Sequence, residues 1–298
     1  MSRRFRGPVE RLYARVLESE LEMTPSHIAV IQDGNRRYAA ERGVDKTTGH
    51  KQGAQTTEKL LKWCGDLDIQ EVTLYAFSTE NFERPPDERE ALFDLITEKL
   101  RDFADADDVH EREVRIRAIG ETDELPERVR DAIEYAESRT ESYDRLYLNI
   151  ALAYGGRAEL LGATRDIARA VQRGEIDPAE ITPETVEQAL PDGPSRSVDL
   201  IIRSGGDERT SNFLPWQANG NEAAVYFTAP YWPEFRRIDF LRALRTYNYR
   251  EASWRQTRVR RARAFAGVLR ETITGGWKGV VSGDEDGESA EQTVESPG

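Results

Sequence analysis

Short apolar runs alternate with amphipathic stretches along most of this chain. The apolar runs, rich in Ile, Val and Leu, are typical of buried β-strands. They cover residues 27–31, 71–77, 114–119, 146–151, 198–202 and 225–227. The stretches between them predict helices over residues 36–42, 53–67, 87–105, 126–140 and 157–173. Strands that alternate with helices and short turns predict an α/β fold: a single domain with a mostly parallel six-stranded sheet flanked by helices.

The two ends of the chain depart from this pattern. Residues 1–25 are polar and arginine-rich and predict an N-terminal helical extension. Residues 276–298 are expected to form a disordered acidic tail, since positions 281–298 hold six acidic residues and no basic one. The domain between them, residues 26–275, includes an arginine-rich C-terminal helix within residues 236–270. A dimer contact, an anionic membrane surface and plain solvent all remain open as the surroundings of that helix.

The charged residues of the chain indicate the salt conditions in which the protein works. The net charge is −13, and only six of the 42 basic residues are lysines. Guanidinium groups are more weakly hydrated than ammonium groups, and salt screens the repulsion among carboxylates. The composition therefore indicates a salt-rich cytoplasm. A high-GC genome that encodes arginine in place of lysine is the alternative explanation.

Several classes of protein are excluded by what the sequence lacks. It has no run of about 18 apolar residues and no apolar segment after the basic N-terminus, so neither a membrane span nor a secretory signal is expected. With one cysteine, Cys64, and three histidines, neither a disulfide nor a Cys/His zinc site is expected. The pI near 5.0 argues against bulk nucleic-acid binding. Walker A, dinucleotide-binding and nucleophile-elbow motifs are missing, which argues against NTPases, dehydrogenases and hydrolases.

The first segment suited to chemistry follows the first predicted strand. Asp33 and Gly34 stand at the start of a predicted helix, whose free backbone N–H groups and dipole favour an anion. Arg36 and Arg37 add guanidinium groups that suit phosphate. Asp33 would repel a phosphate unless a divalent cation lay between them, so the segment predicts a site for a metal and a phosphate. An aspartate that caps the helix beside solvated arginines is the alternative.

Two further segments also follow predicted strands. Residues 77–85 combine hydroxyl, amide, carboxylate and guanidinium groups with two phenylalanines, which favours an apolar ligand over a simple capping segment. Residues 202–213 place Arg203 and Arg209 around a glycine pair, which favours an anion nest over a plain turn. Because ligands gather at the carboxyl ends of parallel strands, the three segments should meet. Two phosphorylated substrates with apolar bodies would use such a set of groups.

The three segments, in the order in which they occur along the chain, resemble one family. That family is the cis-prenyltransferases, which are the undecaprenyl and dehydrodolichyl diphosphate synthases. The likeness runs from about residue 27 to residue 249. It rests on HIAVIQDGNRRYA at 27–39, GH at 49–50, YAFSTENFER at 75–84, NIALAYGGR at 149–157, IRSGG at 202–206 and SNFLPWQ at 211–217. Arg36, Tyr38 and Phe82 are similar to the archaeal and eukaryotic branch. Together with the arginine-rich composition, that branch indicates a halophilic archaeon.

The resemblance implies an activity and its surroundings. Isopentenyl diphosphate would condense with an allylic primer, farnesyl or geranylgeranyl diphosphate, to give a long-chain polyprenyl diphosphate, the lipid-carrier precursor for glycosylation. A hydrophobic tunnel would hold the growing chain, and Mg²⁺ would be the cofactor. The enzyme would be a cytoplasmic homodimer with transient peripheral contact to the membrane and no nucleic-acid partner. The alternative is a non-catalytic subunit of a heteromeric cis-prenyltransferase, a type of subunit that keeps the fold and loses the motifs.

The resemblance also assigns roles to matching positions. Asp33 would hold Mg²⁺ and assist the departure of the primer diphosphate, and Asn81 matches the position assigned to proton acceptance. Glu222 is the implied second metal ligand, although counting back from Tyr226 places Ala224 there. The implied substrate-binding residues are Gly34, Asn35, Arg36, Arg37, Tyr38, Lys46, His50, Ser78, Thr79, Glu80, Phe82, Arg84, Arg203, Arg209 and Ser211.

Overall fold

A computed structural model of the chain describes residues 3–190, 193–218 and 223–253, with the side chains of residues 3–9 and 11 left aside. Residues 1–249 form one compact unit. The second unit, residues 250–298, is described only at residues 250–253, which are helical. The predicted acidic tail, most of the arginine-rich segment and Glu222 lie outside the described residues. Within the described part of the chain, no helix is both long enough and apolar enough to cross a bilayer.

The centre of the fold is a six-stranded sheet in which every pair of neighbours is parallel. Its strands are β1 (His27–Ile31), β2 (Glu71–Tyr75), β3 (Val114–Ile119), β4 (Leu146–Ala151), β5 (Leu200–Arg203) and β6 (Ala224–Phe227). Their order across the sheet is β3-β4-β2-β1-β5-β6. The predicted α/β class and parallel sheet are confirmed. Because β1 lies in the middle, between β2 and β5, the loops after these three strands meet at one edge of the sheet.

Helices flank this sheet, and their bounds follow local capping. They are α1 (Arg3–Ser19), α2 (Asn35–Arg42), α3 (Lys46–Asp66), α4 (Pro86–Asp105), α5 (Asp107–Glu111), α6 (Glu127–Thr140), α7 (Gly156–Gln172), α8 (Pro183–Gln188) and α9 (residues 237–253). Helix α3 begins at Lys46, earlier than the predicted start at residue 53. The Asp45 side chain accepts a hydrogen bond from the Thr48 N–H at 2.9 Å and so caps the helix there.

The first turns of α3 carry no apolar stripe, which is why the hydrophobic pattern did not reveal them. Their inward positions are Gly49 and Gly53, both buried. A Cβ atom at Gly49 would collide with the backbone carbonyl oxygen of Asn35. The two glycines therefore let α3 lie closely against the start of α2, and this close approach helps to shape the site described below.

Both faces of the sheet are covered by apolar side chains. On one face, residues such as Ile28 and Val30 belong to the main core together with side chains of α1, α3, α4, α6 and α9. On the other face, Ala29, Ile31 and Ile201 pack with Phe213 in a smaller core. Strands buried on both faces read as continuous apolar runs, which explains why the sequence located them so closely.

The outer edge of β3 is protected by α6 rather than left open. The Ile116 N–H donates to the Thr140 hydroxyl at 3.0 Å, and the Ala118 N–H donates to the Glu137 carboxylate at 2.8 Å. Unpaired edge groups invite pairing with another chain, so these two hydrogen bonds close the sheet on that side.

Candidate active site

A cavity of about 670 Å³ opens where β1 and β2 end. Its mouth is polar and its depth is apolar. The mouth is lined by Asp33, Gly34, Asn35, Arg36, Arg37, Lys46, His50, Asn81, Arg84, Asp207 and Arg209. The depth is lined by Ala54, Leu74, Leu92, Leu95, Ile96, Leu100, Phe103 and Ile150. A ligand with a charged head and an apolar body matches this division.

The loop after β1 turns sharply into α2. Gly34 has φ +97°, a left-handed conformation that glycine adopts without strain, and it precedes the first residue of α2. A Cβ atom at this position would lie 2.5 Å from the Tyr231 ring. Glycine is therefore required both for the turn and for the close approach of Tyr231. The turn leaves Asp33 at the N-terminus of α2, facing the cavity.

Asp33 is the centre of a first charged cluster. Arg203, the last residue of β5, donates to its Oδ2 at 2.7 Å, and the Arg37 guanidinium lies 3.2 Å from its Oδ1. The Gly34 N–H donates to the same Oδ1 at 2.6 Å. Burial alone would raise the pKa of Asp33, but the hydrogen bond and charge of Arg203 outweigh that effect and lower it. Asp33 is therefore a carboxylate at neutral pH.

Asp207 joins the same cluster from the loop after β5. Its carboxylate lies 3.3 Å from Arg203, 3.5 Å from Arg37 and 3.0 Å from Arg209. Gly205, at φ +88°, turns the chain between Arg203 and Asp207. Three guanidinium groups thus meet two carboxylates at the cavity mouth.

The predicted anion nest around Arg203 is fixed by hydrogen bonds that its guanidinium donates to the loop after β5. The Arg203 side chain is only 4% exposed and donates to the Arg209 carbonyl at 2.7 Å and to the Ser211 hydroxyl at 2.5 Å. Ser211 itself has φ +49°, so this loop adopts a strained conformation to reach the guanidinium. Arg203 and Ser211 position the cluster, whereas Arg209 and Arg37 face the cavity.

A second charged cluster gathers around Glu88, which sequence reasoning missed. Its side chain is 5% exposed and accepts contacts from Lys46 at 2.8 Å, Arg84 at 2.7 Å and Arg36 at 3.2 Å. Burial would raise the pKa of Glu88, but hydrogen bonds from Lys46 and Arg84 lower it instead. In the sequence, Glu88 stands among other acidic residues in the first turn of α4, an ordinary place for an acid, so no local signal marked it.

His50 lies beside this second cluster and lines the cavity. Burial, then the charge of Arg84, lowers the pKa of His50 to about 4. The ring is therefore neutral at physiological pH. Its Nε2 is buried and has no hydrogen-bond partner, so it is free to meet a ligand group in the cavity.

The Asn81 side chain forms a hydrogen bond within the loop after β2. The Asn81 Oδ1 accepts a hydrogen bond from the Ser78 N–H at 3.1 Å. Asn81 and Arg84 both line the cavity. Phe82 instead packs against Phe77 and Phe93, with ring centroids 5.1 Å and 6.3 Å away. Neither ring lines the cavity: Phe77 is buried in the core, and Phe82 is partly buried and packs against it. Contact of these two rings with an apolar ligand stays a prediction.

The structure brings most, but not all, of the predicted residues to the cavity. Seven predicted substrate-binding residues are not among its lining: Tyr38, Ser78, Thr79, Glu80, Phe82, Arg203 and Ser211. Tyr38 lies under the Arg42 guanidinium, 5.4 Å from its ring centroid, and Glu80 is exposed.

Trp232 is a further lining residue that the sequence did not single out. It is 1% exposed and lies in the loop between β6 and α9. Its ring Nε1 donates to the Gly53 carbonyl at 2.8 Å, and its backbone N–H donates to the Asp33 carbonyl at 2.9 Å. One residue therefore ties the helix that lines the cavity to the loop that carries Asp33.

The residues at the cavity mouth fit a Mg²⁺ ion that is bound by a protein carboxylate together with substrate phosphates. Among the described residues, no group of three His, Cys, Asp or Glu side chains could hold a metal ion. Mg²⁺ is commonly held by one or two carboxylates together with substrate phosphates rather than by a protein cage. The ionised Asp33 carboxylate, 28% exposed at the cavity mouth, suits that arrangement. The predicted second ligand, Glu222, lies outside the described residues.

Known proteins that are similar to this chain identify its family. Residues 31–255 match the family model described as putative undecaprenyl diphosphate synthase. The chain is 65% identical to a tritrans,polycis-undecaprenyl-diphosphate synthase (geranylgeranyl-diphosphate specific) of Haloarcula marismortui, over 87% of this chain and 86% of the relative. It is 63% identical to the protein of that name from Halobacterium salinarum, over 87% and 85%. Relatives from these organisms support the predicted halophilic source.

A solved structure is similar as well. The lavandulyl diphosphate synthase of Lavandula x intermedia, crystallised with dimethylallyl diphosphate, is 33% identical with a TM-score of 0.70, covering 76% of this chain and 95% of that one. The predicted resemblance is thereby confirmed: the chain belongs to the undecaprenyl diphosphate synthase family of prenyltransferases.

Proposed function

We propose that this protein extends geranylgeranyl diphosphate with isopentenyl diphosphate units to undecaprenyl length, with Mg²⁺ as its cofactor. The observation that carries the proposal is the cavity: two cation-rich clusters at its mouth, around Asp33 and Glu88, and an apolar depth beyond them. Two clusters suit two diphosphate groups, and one apolar depth suits one growing chain. The names of the haloarchaeal relatives support the choice of a C20 primer and the product length.

Charge at the mouth would drive the first step. When the allylic C–O bond ionises, negative charge develops on the departing diphosphate. Arg37 and the backbone N–H groups at the start of α2 face that position and would bind the diphosphate more tightly as its charge grows. Mg²⁺ held by Asp33 would supply further neutralisation of the leaving group.

The role of the Glu88 cluster would be to hold its three cations in fixed positions for a diphosphate. Lys46, Arg84 and Arg36 come from three different elements or loops, and all three reach the same carboxylate. A buried shared anion holds the three side chains near one another before a substrate arrives. Such preorganisation lowers the cost of binding a diphosphate between them.

Asn81 is better placed as a donor than as a base. Its Oδ1 already accepts from the Ser78 N–H, which leaves its NH₂ group for the cavity. A neutral amide is also a very weak base. We therefore assign proton acceptance after C–C bond formation to a diphosphate oxygen, and to Asn81 the task of orienting that diphosphate by donating to it.

Water must be kept from the carbocation until the new bond has formed. Trp232, Leu74 and Ile150 line the cavity beyond the charged mouth and are buried or nearly so. We assign to this apolar depth the role of the predicted tunnel, in which the prenyl chain would lie as it lengthens.

Exposed apolar residues support the proposed assembly and location. We infer a homodimer, since Leu161 on α7 is 54% exposed and Val225 on the edge strand β6 is 37% exposed. Transient contact of a cytoplasmic enzyme with the membrane is supported by Leu12 and Val16 on α1, which are 64% and 44% exposed.

The decisive experiment is a product assay. Purified protein is incubated with radiolabelled isopentenyl diphosphate and C10, C15 or C20 allylic primers, at low and high salt, with and without Mg²⁺. We expect polyprenyl diphosphates from the C20 primer at high salt with Mg²⁺. A protein inert under every condition would favour the non-catalytic subunit, although Asp33, Asn81 and Arg209 in the cavity give no support to that alternative.

A further inference from the structure

Tyr231 lies against the loop that carries Asp33 but does not line the cavity. It stands in the loop between β6 and α9, one residue before Trp232. Its ring packs on Gly34, where a Cβ atom would lie 2.5 Å from the ring atom Cδ1. A ring in this place can act on a ligand only through a group that does face the cavity.

That group is the guanidinium of Arg37. It lies over the Tyr231 ring, with its Cζ atom 5.5 Å from the ring centroid. This distance is typical of a cation–π contact, in which the ring face attracts the positive charge. The Arg37 side chain is 43% exposed and lines the cavity. The aromatic contact therefore holds a cation that a ligand can reach.

The Tyr231 ring is itself held at its hydroxyl end. The hydroxyl donates a hydrogen bond to the Glu41 Oε1 at 2.6 Å. This hydrogen bond raises the pKa of Tyr231, so the phenol keeps the proton that it donates. Glu41 follows Arg37 by four residues on α2, which places both side chains on one face of that helix. One tyrosine therefore contacts two successive turns of α2.

The main chain on either side of Tyr231 is anchored to two loops of the site. The Pro230 carbonyl accepts a hydrogen bond from the Gly205 N–H at 2.8 Å, and the Trp232 N–H donates to the Asp33 carbonyl at 2.9 Å. The ring therefore has a fixed position relative to the loops after β1 and β5. A ring fixed in this way restricts the Arg37 side chain, which would otherwise adopt many rotamers.

The ring holds Arg37 without using its hydrogen-bond donors. A guanidinium group carries five N–H donors in its plane and stacks on aromatic rings with its face. The Arg37 Nη2 lies 3.2 Å from Asp33, and the Nη1 lies 3.5 Å from Asp207. A bound diphosphate would compete with these carboxylates for the N–H groups. It would not compete with the Tyr231 ring, so the ring contact can persist in the occupied site.

We propose that Tyr231 is a positioning residue that holds the Arg37 guanidinium towards the diphosphate that leaves the allylic primer. This role rests on the proposed chain elongation, in which Arg37 stabilises the charge of that leaving group. A cation that is already in position needs no reorganisation when the charge develops. Loss of the ring should therefore slow the ionisation step more than it weakens substrate binding.

The test compares variants of Tyr231 with the wild type, using geranylgeranyl diphosphate, isopentenyl diphosphate and Mg²⁺ at high salt. Tyr231→Leu removes the aromatic face, so the single-turnover rate of the first condensation should fall about fivefold, with a smaller change in KM for the primer. Tyr231→Phe keeps the face and loses only the hydrogen bond to Glu41, so it should retain most of the rate.

The matched control is Tyr135→Leu. Tyr135 lies under the Arg101 guanidinium, 5.2 Å from its ring centroid, and its hydroxyl donates to Asp105 at 2.8 Å. It therefore makes the same two kinds of contact as Tyr231, but none of these three residues lines the cavity. The rate in Tyr135→Leu should equal that of the wild type.

A second comparison separates positioning from a merely structural role. Tyr231→Leu is repeated in an Arg37→Met background, where no guanidinium is left to hold. If the ring acts through Arg37, the substitution should have no further effect on the rate there. Thermal melting checks that each variant folds, and Tyr231→Met replaces Tyr231→Leu if leucine is not tolerated.

The outcomes are distinct. A Tyr231→Leu enzyme as fast as the wild type, or an equal loss of rate with and without Arg37, would overturn the role of Tyr231 and leave the proposed function intact. An equal loss in Tyr135→Leu would overturn that role as well. A wild-type protein that makes no polyprenyl diphosphate at all would overturn the proposed function, and the role of Tyr231 with it.

Discussion

The two ends of the central strands carry clusters of charged side chains that are used in opposite ways. At the carboxyl ends, six cations (Arg36, Arg37, Lys46, Arg84, Arg203 and Arg209) face only three carboxylates (Asp33, Glu88 and Asp207) across a cavity. At the amino ends, a buried carboxylate lies among hydrogen-bond donors and arginines, and none of these groups lines the cavity at the carboxyl ends.

The amino-terminal group is centred on Glu71 of β2, whose carboxylate is fully buried. Its Oε1 accepts from Asn149 at 2.6 Å, from the Ser195 N–H at 2.8 Å and from Arg117 at 3.3 Å. The neighbouring His27 is held between the Thr73 hydroxyl and the Arg196 carbonyl, and burial lowers its pKa. This network fixes the loop after residue 192 to the sheet.

The difference between the two clusters shows how to recognise the functional end of the sheet. Buried polar groups are common in both places, so burial alone does not distinguish them. What distinguishes the carboxyl end is an excess of cations beside an apolar cavity. An excess of cations beside a cavity attracts a ligand of the opposite charge, whereas in a paired network the charges are neutralised within the fold.

The largest expected effect is at Asp33. In Asp33→Asn the side chain keeps its shape but loses the charge that orients Arg203 and would hold Mg²⁺. We expect kcat to fall about 10³-fold, which corresponds to about 4 kcal/mol. Steady-state turnover with a C20 primer measures this, and thermal melting serves as the control, since the fold should be retained. Near-normal turnover would remove Asp33 from its assigned role.

Glu71→Gln should affect stability instead of activity. The new NH₂ group would face the donors Asn149 and Ser195, and a buried polar network would lose its carboxylate. The free energy of unfolding should fall by about 3 kcal/mol in urea titrations at high salt. Exposed Glu98→Gln is the matched control. A stable Glu71→Gln protein with poor kcat would contradict the division between the two ends.

The pH dependence of stability tests His50. Its pKa of about 4 in the folded chain lies below the ordinary value of 6.5. The unfolded chain therefore binds more protons between these values, and stability falls as the pH drops through that window, by about 2 kcal/mol at pH 5. Urea unfolding from pH 7.5 to 4.5 measures the slope. His50→Gln should reduce it, but only in part, because His27 acts in the same direction. An unchanged slope would refute the buried neutral ring.

Glu88→Gln is expected to have the smallest effect. Without the shared carboxylate, Lys46, Arg84 and Arg36 are no longer fixed before the substrate binds. We expect KM for a diphosphate substrate to rise about tenfold, equivalent to about 1.4 kcal/mol, with a smaller change in kcat. Glu90→Gln on the same helix is the control, since Glu90 pairs with Arg128 outside the cavity. Equal KM values for the two variants would show that the cluster does not position its cations for substrate.

The sequence predicted the sheet better than it predicted the site. Strands β1, β3 and β4 lie where the apolar runs placed them, because a strand buried on both faces leaves a continuous signal. Strand β2 ends at Tyr75, before the predicted end at residue 77. The start of α3 was missed because its inward face is built from glycines, which have no hydrophobic signature.

The site was predicted where chemistry lies next to a strand end, and missed where it depends on distant pairing. Asp33 and Arg203 follow or end strands, and they meet at 2.7 Å as expected. Glu88 meets Lys46 only because α3 and α4 lie side by side, a relation between residues 42 positions apart that no local pattern encodes. The packing of the partly buried Phe82 against the core likewise depends on Phe93, eleven positions further along the chain.

Trp232 gives the protein a built-in optical probe. Its indole ring lines the cavity and donates to the Gly53 carbonyl, while its backbone N–H holds the Asp33 carbonyl. A prenyl chain in the cavity would change the polarity around this indole. The chain has five tryptophans, so the part of the emission that is lost in Trp232→Phe should be the part that follows occupancy of the cavity, without any added dye or label.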